Sequence, residues 1–344
     1  MRLRHLLNDR AANSLLLLTV LALALTGVAG LFANAAGQRA VFYAHRIGGA
    51  ALLVLLIPKA GIIARALRRH AGRRAPGARG RLDLLASLLL LGATLVLIGA
   101  VLGWSLARGP WRGEWGLPLI VVHWYLALGV LPLLAWHVRR RWRRPRAADF
   151  AGRRRVLALG GAALVALVAW RALDAGANAA QSRGGRRRFT GSREADYGAP
   201  NAFFVTQFLN DDPAPIDPAT WRLRVTGRVA HPLSLTYADV RGEAHLVATV
   251  DCTGGVYATR EWRGLPVGVL LDAAQYAPQA TLVWFVSVTS YRWPLPLDEA
   301  RRALVATHVG GEALSHAHGF PFRLVAPERR GFQWIKWLAE IEVA

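Results

Sequence analysis

Cysteine occurs once in the 344 residues, at Cys252, and lysine only twice, at Lys59 and Lys336. A single cysteine excludes an internal disulfide. The two lysines stand against 41 arginines, so positive charge is written as arginine, and each lysine is a candidate for a site that needs a compact ammonium or a neutral amine. Acidic residues are scarce in one region: residues 1–199 hold 7 Asp+Glu against 30 Lys+Arg, whereas from Pro200 onward 14 acids balance 13 bases. The formal net charge of +22 therefore belongs to the first part, where it is interleaved with apolar runs. A basic nucleic-acid footprint is excluded in favour of a membrane part with basic flanking loops.

Four apolar runs reach the length of about 20 residues that a bilayer core requires: Ser14–Ala33, Val41–Ala64, Leu82–Ala107 and Leu117–Val138. A fifth, Val156–Leu173, is just long enough. Arg2, Arg4 and Arg10 precede the first run, seven arginines lie between residues 65 and 81, and nine lie between residues 139 and 155. The connections at 34–40 and 108–116 hold far fewer. The positive-inside rule places the N-terminus and both arginine-rich loops in the cytoplasm, and five crossings put everything after about Ala175 outside. Trp104, Trp111, Trp115 and Trp124 sit where interfacial anchors belong.

Arg153–Arg155 followed by a mild Gly/Ala-rich apolar run admits two readings, a basic stop before an ordinary span or a twin-arginine export signal. Residues 175–199 read as a flexible linker, so the expected domains are 1–174, a linker, and 200–344. The last of these is α+β. Strands are expected at Trp221–Val229, His245–Val250, Leu282–Val288 and Pro321–Val325, and helices at Pro266–Ala274 and Leu297–Ala306. This unit has no internal repeat and no Gly-rich nucleotide loop.

Cys252 lies in Val250-Asp-Cys-Thr-Gly-Gly255, a strand end running into a Gly-rich turn, where it is either a buried bystander or a retained ligand or nucleophile. Four segments in order carry a resemblance. They are Asn201-Ala-Phe-Phe-Val; Trp221-Arg-Leu-Arg-Val-Thr-Gly with Pro232-Leu-Ser-Leu; Asp251-Cys-Thr-Gly-Gly with Trp262-Arg-Gly-Leu-Pro-Val; and His318-Gly-Phe-Pro-Phe-Arg-Leu-Val-Ala-Pro with Gly331-Phe-Gln-Trp-Ile-Lys-Trp-Leu. From Asn201 to Val343 the chain resembles the molybdopterin-binding domain of the sulfite oxidase family. The resemblance implies Mo-molybdopterin, with Cys252 as the soft thiolate ligand of molybdenum. It implies that His318, Arg323 and Lys336 grip the phosphate and pterin edge, with backbone donors of Gly331, Phe332 and Gln333. Asn201, Phe203 and Thr307 are further carry-overs, and Tyr291 and Arg292 are candidates to face the metal. Sulfite oxidases carry Gly-Asn-Arg after the metal cysteine and Arg-Asn-His in the opening segment. Here those places read Gly254-Gly255-Val256 and Thr206-Gln207-Phe208, so the cationic pocket for sulfite is missing and the substrate is left open.

The apolar part carries His45 in the second run and His123 and His137 in the fourth; ionisable groups at such positions are functional by default. His45 and His123 share a depth, which is what a bis-histidine b-type haem needs. His123 and His137 are 14 residues apart, roughly 21 Å along a helix, the spacing of two stacked haems. The partner position for His137 is Lys59, which snorkels to headgroups, meets a haem propionate or quinone, or ligates iron. Residues 13–138 resemble the cytochrome b561 and hydrogenase-type cytochrome b families, which implies one haem b and leaves a second open.

The expectation is thus a multi-domain chain: an all-α transmembrane helix bundle of about five spans followed by an extracytoplasmic α+β sulfite oxidase-type domain. It is expected to be a multi-pass protein of the cytoplasmic (inner) membrane. Its activity is that of a molybdenum oxidoreductase exchanging electrons between a small-molecule substrate and a haem and quinone pool. A quinol-driven S-oxide or N-oxide reductase and a non-catalytic electron conduit are the alternatives.

Overall fold

A computed structural model describes residues 8–71, 78–106, 118–150, 153–179, 187–206, 211–240 and 242–344. The chain divides into two compact units, Met1–Leu31 with Gly37–Gly191, and Phe32–Ala36 with Ser192–Ala344. Arg2, Arg4, Trp111, Trp115, Gln207 and Phe208 lie outside the described residues.

The first unit is helical: α1 (Asp9–Phe32), α2 (Arg39–Ala71), α3 (Ala78–Leu106), α4 (Leu119–Arg141) and α5 (Arg153–Ala179). α3 packs on α4, and α2 and α3 pack on α5. Small residues bring α1 and α2 together. A side chain at Gly27 would come within 3.3 Å of the His45 ring, and one at Gly48 within 3.1 Å of Leu23. Among the described residues four helices are long and apolar enough to cross a membrane, Asp9–Phe32, Ala36–Arg68, Gly80–Trp104 and Leu119–Arg141. α5 is 27 residues long, and among the described residues it carries a shorter apolar stretch, Gly160–Ala172. Trp104 is not an exposed anchor. It is buried, and its indole N–H donates to Gly191 O at 3.4 Å.

The second unit holds two sheets. Its elements are β1 (Arg193–Glu194), β2 (Leu223–Gly227), β3 (Leu233–Leu235), β4 (Ala244–Asp251), β5 (Val256–Pro266), α6 (Val267–Ala274), β6 (Leu282–Ser287), β7 (Arg292–Pro296), α7 (Leu297–Arg302), β8 (Leu304–Val309), β9 (Glu312–Ala313), β10 (Arg323–Val325) and β11 (Leu338–Val343). One sheet is ordered β1-β5-β8-β10, with β4 on β5 and β9 on β8; the other is ordered β3-β2-β11-β6-β7. Alternation sets the faces: β6 buries Val283, Phe285 and Ser287 while the residues between them are only partly covered. Trp262, Leu271, Phe285, Phe322, Leu324 and Ile341 are fully enclosed, each side chain contributing about 1.5–3 kcal/mol or more through removal of apolar surface from water. α6 stops where Gln275 turns left-handed at φ 52°.

Two expectations are corrected here. The helix expected over Leu297–Ala306 ends at Arg302, and Leu304–Val309 is a strand between β5 and β10, buried at every position except the half-buried His308. Two-sided burial removes the alternation that marks a strand, so an apolar run of this kind reads equally as helix. The linker expected to reach residue 199 ends sooner. Ser192 and Arg193 are buried, and β1 pairs in parallel with the start of β5, Arg193 opposite Val256 and Glu194 opposite Tyr257.

Candidate functional site

β4 and β5 form a hairpin, and Cys252 is the first residue of its turn. The Cys252 N–H donates to Val256 O (2.8 Å), and Gly255, at φ 85°, donates back to Cys252 O (3.0 Å). A left-handed position favours glycine, which accounts for Gly255. The thiol is buried, and two donors reach its sulfur, the Gly254 N–H and the Thr206 hydroxyl, each at 3.3 Å.

Beneath the turn lies a polar knot. Asp251 is fully buried and its Oδ1 accepts from Ser192 Oγ at 2.6 Å and from an Arg330 guanidinium nitrogen at 2.7 Å. The other terminal nitrogen of Arg330 donates to Cys252 O at 3.1 Å. Arg330 opens the single turn Gly331–Gln333, and its own N–H donates to Gln333 Oε1 at 3.0 Å. Gly331 touches the cysteine segment so closely that a β-carbon there would meet Asp251 O at 3.3 Å and Cys252 Cα at 3.4 Å. Tyr291 reaches the same segment, its hydroxyl donating to Phe332 O at 2.8 Å, and burial pushes its phenol above the usual range.

Three nitrogenous side chains build the rest. His318 is buried, stacked on Phe203 with ring centroids 3.8 Å apart, and its Nδ1 lies 2.8 Å from Ser315 Oγ. Ser315 is in turn fixed by Asn201 Oδ1, which accepts the Ser315 N–H at 2.9 Å. Burial, and next the Arg323 charge, lower His318 to about 4, so it is neutral at neutral pH. Arg323 lies over the rings of Trp262 (5.4 Å) and Trp334 (5.8 Å) and donates to His318 O at 2.9 Å. Burial lowers it to about 10, against the opposing pull of Cys252. Lys336 donates to Ala317 O at 3.2 Å and is lowered to about 8 by burial and then by Arg323. Gly319, at φ 105°, stands where a β-carbon would lie 3.0 Å from Lys336 Cβ.

His318 Nε2, Arg323 Nε and Arg330 Nε are buried without a hydrogen-bond partner among the described residues. Each such orphan costs about 1–3 kcal/mol, and the orphaned N–H groups of Arg323 and Arg330, both tied to the Cys252 segment, fit an anionic group that accepts from them. Among the described residues no three His, Cys, Asp or Glu side chains are grouped to hold a metal ion. A metal at Cys252 must therefore bring its other ligands, as molybdopterin does. The donor set fits that cofactor.

Two carried-over residues are engaged elsewhere. Arg292 is exposed on β7, over Trp284 (4.4 Å) and 3.9 Å from Glu342, in the sheet that does not hold Cys252. Thr307 is fully buried on β8, its hydroxyl 2.8 Å from His308 Nδ1. Asn201 acts at one remove, through Ser315. The residues that sequence reasoning missed are Arg330, Ser192, Ser315 and Trp334, and it named Thr206 only as a departure from the sulfite oxidase pattern.

The helical unit has its own cluster. The His45 and His123 rings lie 6.3 Å apart, nearly perpendicular at 88°. Two imidazoles bonded to one iron from opposite sides at about 2 Å per bond have centroids roughly 6 Å apart, so the pair fits a bis-histidine haem iron. Each Nδ1 has a partner, Thr26 Oγ1 at 3.0 Å for His45 and Leu97 O at 3.4 Å for His123. Such partners hold a ligating imidazole in orientation. His137 Nδ1 lies 3.3 Å from Ser87 Oγ, while Lys59 donates to Asn13 Oδ1 at 2.7 Å.

Residues 211–344 match the family described as the oxidoreductase molybdopterin binding domain. The chain is 30% identical over 152 residues to the uncharacterized oxidoreductase YuiH of Bacillus subtilis (strain 168), covering 42% of this chain and 77% of that protein. It is 29% identical over 169 residues to the protein-methionine-sulfoxide reductase catalytic subunit MsrP of Gluconobacter oxydans (strain 621H), covering 42% and 54%. Human mitochondrial sulfite oxidase is 28% identical over 183 residues, covering 43% and 33%. The match thus spans about half of the Gluconobacter subunit and a third of the human enzyme. A lone buried cysteine on a glycine turn, with the buried Arg330 donating to its carbonyl and the buried Arg323 in its field, marks a molybdopterin-binding domain of the sulfite oxidase type. The chain belongs to the molybdopterin-binding oxidoreductase family and is a molybdenum oxidoreductase.

Proposed function

We propose that the chain is a membrane-bound oxidoreductase that moves electrons between a molybdenum centre held by the second unit and a b-type haem held by the first. Quinone is the partner in the bilayer, and the substrate is a small extracytoplasmic molecule. The observation that carries the molybdenum half is the buried Cys252 thiol with the orphaned guanidinium N–H groups of Arg323 and Arg330 about its segment. When bound, the molybdenum cofactor supplies two-electron oxygen-atom transfer or hydroxylation-type chemistry.

The chain's own residues do the holding and tuning. Cys252 ligates the metal through a sulfur that accepts two hydrogen bonds. Arg323 and Lys336 stay cationic at neutral pH and take the cofactor's phosphate, with His318 as an uncharged partner and the Gly331–Gln333 turn offering backbone N–H groups. Tyr291 steadies that turn through Phe332 O. His45 and His123 ligate the haem iron, a single site being better supported than two because Lys59 is bonded to Asn13.

The length of α5, 27 residues or about 40 Å, supports a fifth crossing, with Arg153–Arg155 at the cytoplasmic end and Arg171 snorkelling at the other. On that reading the enzymatic unit lies outside the cytoplasm. Thr206, in the place where sulfite oxidases carry arginine, supports an uncharged substrate such as an S-oxide or N-oxide over an anion, and leaves the direction of electron flow open.

Metal and pterin analysis of the purified full chain, combined with a redox-difference spectrum, tests both halves. Cys252→Ser is expected to abolish turnover and leave the haem spectrum intact, and His123→Ala to remove haem absorbance and leave molybdenum bound. Full turnover in the first variant, or unchanged haem in the second, overturns the corresponding half.

A further inference from the structure

The two donors on the Cys252 sulfur differ in origin. The Gly254 N–H belongs to the turn and is present whatever residue stands there. The Thr206 hydroxyl comes from a side chain 46 positions away, and Thr206 is exposed whereas Cys252 is only 6% exposed. An exposed side chain that touches a buried sulfur stands at the mouth of the site. Thr206 lies outside every helix and strand, and its hydroxyl is directed at the Cys252 sulfur.

We propose that Thr206 is a positioning residue that tunes the metal–sulfur bond through this hydrogen bond. The proposal rests on Cys252 being the molybdenum ligand. A hydroxyl has one proton, and against an anionic sulfur it donates. Donation draws electron density off the sulfur and weakens its push toward the metal, which stabilises the reduced, electron-richer form of the centre. The hydroxyl therefore raises the reduction potential, and removing it lowers the potential. Valine keeps the shape and loses the donor; serine keeps the donor and loses one methyl.

The experiment uses the full-length holoenzyme as Thr206→Val, Thr206→Ser and Cys252→Ser, with molybdenum content measured first and the paramagnetic Mo(V) signal then titrated against potential. Thr206→Val is expected to load molybdenum as the parent does, with its midpoint moved to lower potential and altered g-values, while Thr206→Ser stays with the parent in both. A Thr206→Val titration and spectrum that superimpose on those of the parent overturn the proposal. If Thr206→Val loads poorly, Thr206→Ala removes the same donor from an exposed position and carries the measurement. Cys252→Ser separates the two readings: a parental Mo(V) signal there defeats the ligand assignment itself, whereas loss of that signal beside an unmoved Thr206→Val defeats only the role given to Thr206.

Discussion

Leu25 in α1 and Val247 in β4 are exposed to nearly the same extent, 73% and 71%, yet they belong to surfaces built on opposite plans. Around Leu25 the neighbours along the helix are also bare leucines and valines, Leu18, Leu21 and Val28 among them. Around Val247 the strand partners are polar, with Glu261 directly opposite and the pair Thr249 and Thr259 beside it. The helical unit turns its apolar side chains outward, whereas the second unit encloses Trp262, Phe285 and Leu324 together with the Asp251–Arg330 ion pair and the Arg323 guanidinium. One chain is written for two solvents. The same contrast separates the two candidate centres: His45 and His123 lean on neighbouring helix groups, Thr26 and the Leu97 carbonyl among them, but Cys252 and Arg330 share a polar network with Asp251 and Ser192.

The sharpest way to stress this contrast is to open that network. Asp251→Ala leaves the Arg330 guanidinium buried without its carboxylate, and a loss of about 3–5 kcal/mol is expected in urea unfolding of the purified chain. Next, Leu25→Arg is expected to cost about 2.5–3.5 kcal/mol if α1 lies in hydrocarbon, read as a fall in the membrane-inserted fraction. A change within about 0.5 kcal/mol, ordinary for a surface in water, would break the comparison. Acid titration comes third. His318 is held at about 4 in the fold, below its usual value near 6.5, so the unfolded chain binds the proton first, and stability falls as pH drops from about 6.5 toward 4. His318→Gln is expected to flatten that part of the pH–stability curve; an unchanged slope would assign it to other groups. The smallest effect is expected of Val247→Lys, under about 0.5 kcal/mol in the same unfolding assay.

Much of the architecture was legible because it follows from solvent preference. Continuous apolar runs marked the helices to within about seven residues at either end, alternation marked β2, and a short apolar run marked β6. The turn that carries Cys252 was readable from its glycines, and the rarity of cysteine singled that residue out. What escaped has no local signature. β8 reads as a helix because both its faces are buried. β1 is two residues long and earns its place by pairing with β5 rather than by hydropathy. The Asp251–Arg330 pair joins positions 79 apart, and neither residue differs in sequence from a surface charge. Ser315 and Asn201 are polar residues whose purpose becomes visible only where they orient His318. Arg292 failed for the complementary reason: adjacency to Tyr291 in sequence says nothing about which side of a strand each occupies.

The knot under Cys252 also carries a clock. Its carboxylate takes partners from residues 192 and 330, so one is made before Asp251 and the other well after it. At synthesis rates of about 5–20 residues per second, Arg330 follows Asp251 by several seconds. During that interval the nascent chain carries a thiol loop with no counter-ion beneath it and no Gly331 turn against it. The corner that holds Cys252 is thus completed only after residue 330 has been made, late in the synthesis of the domain.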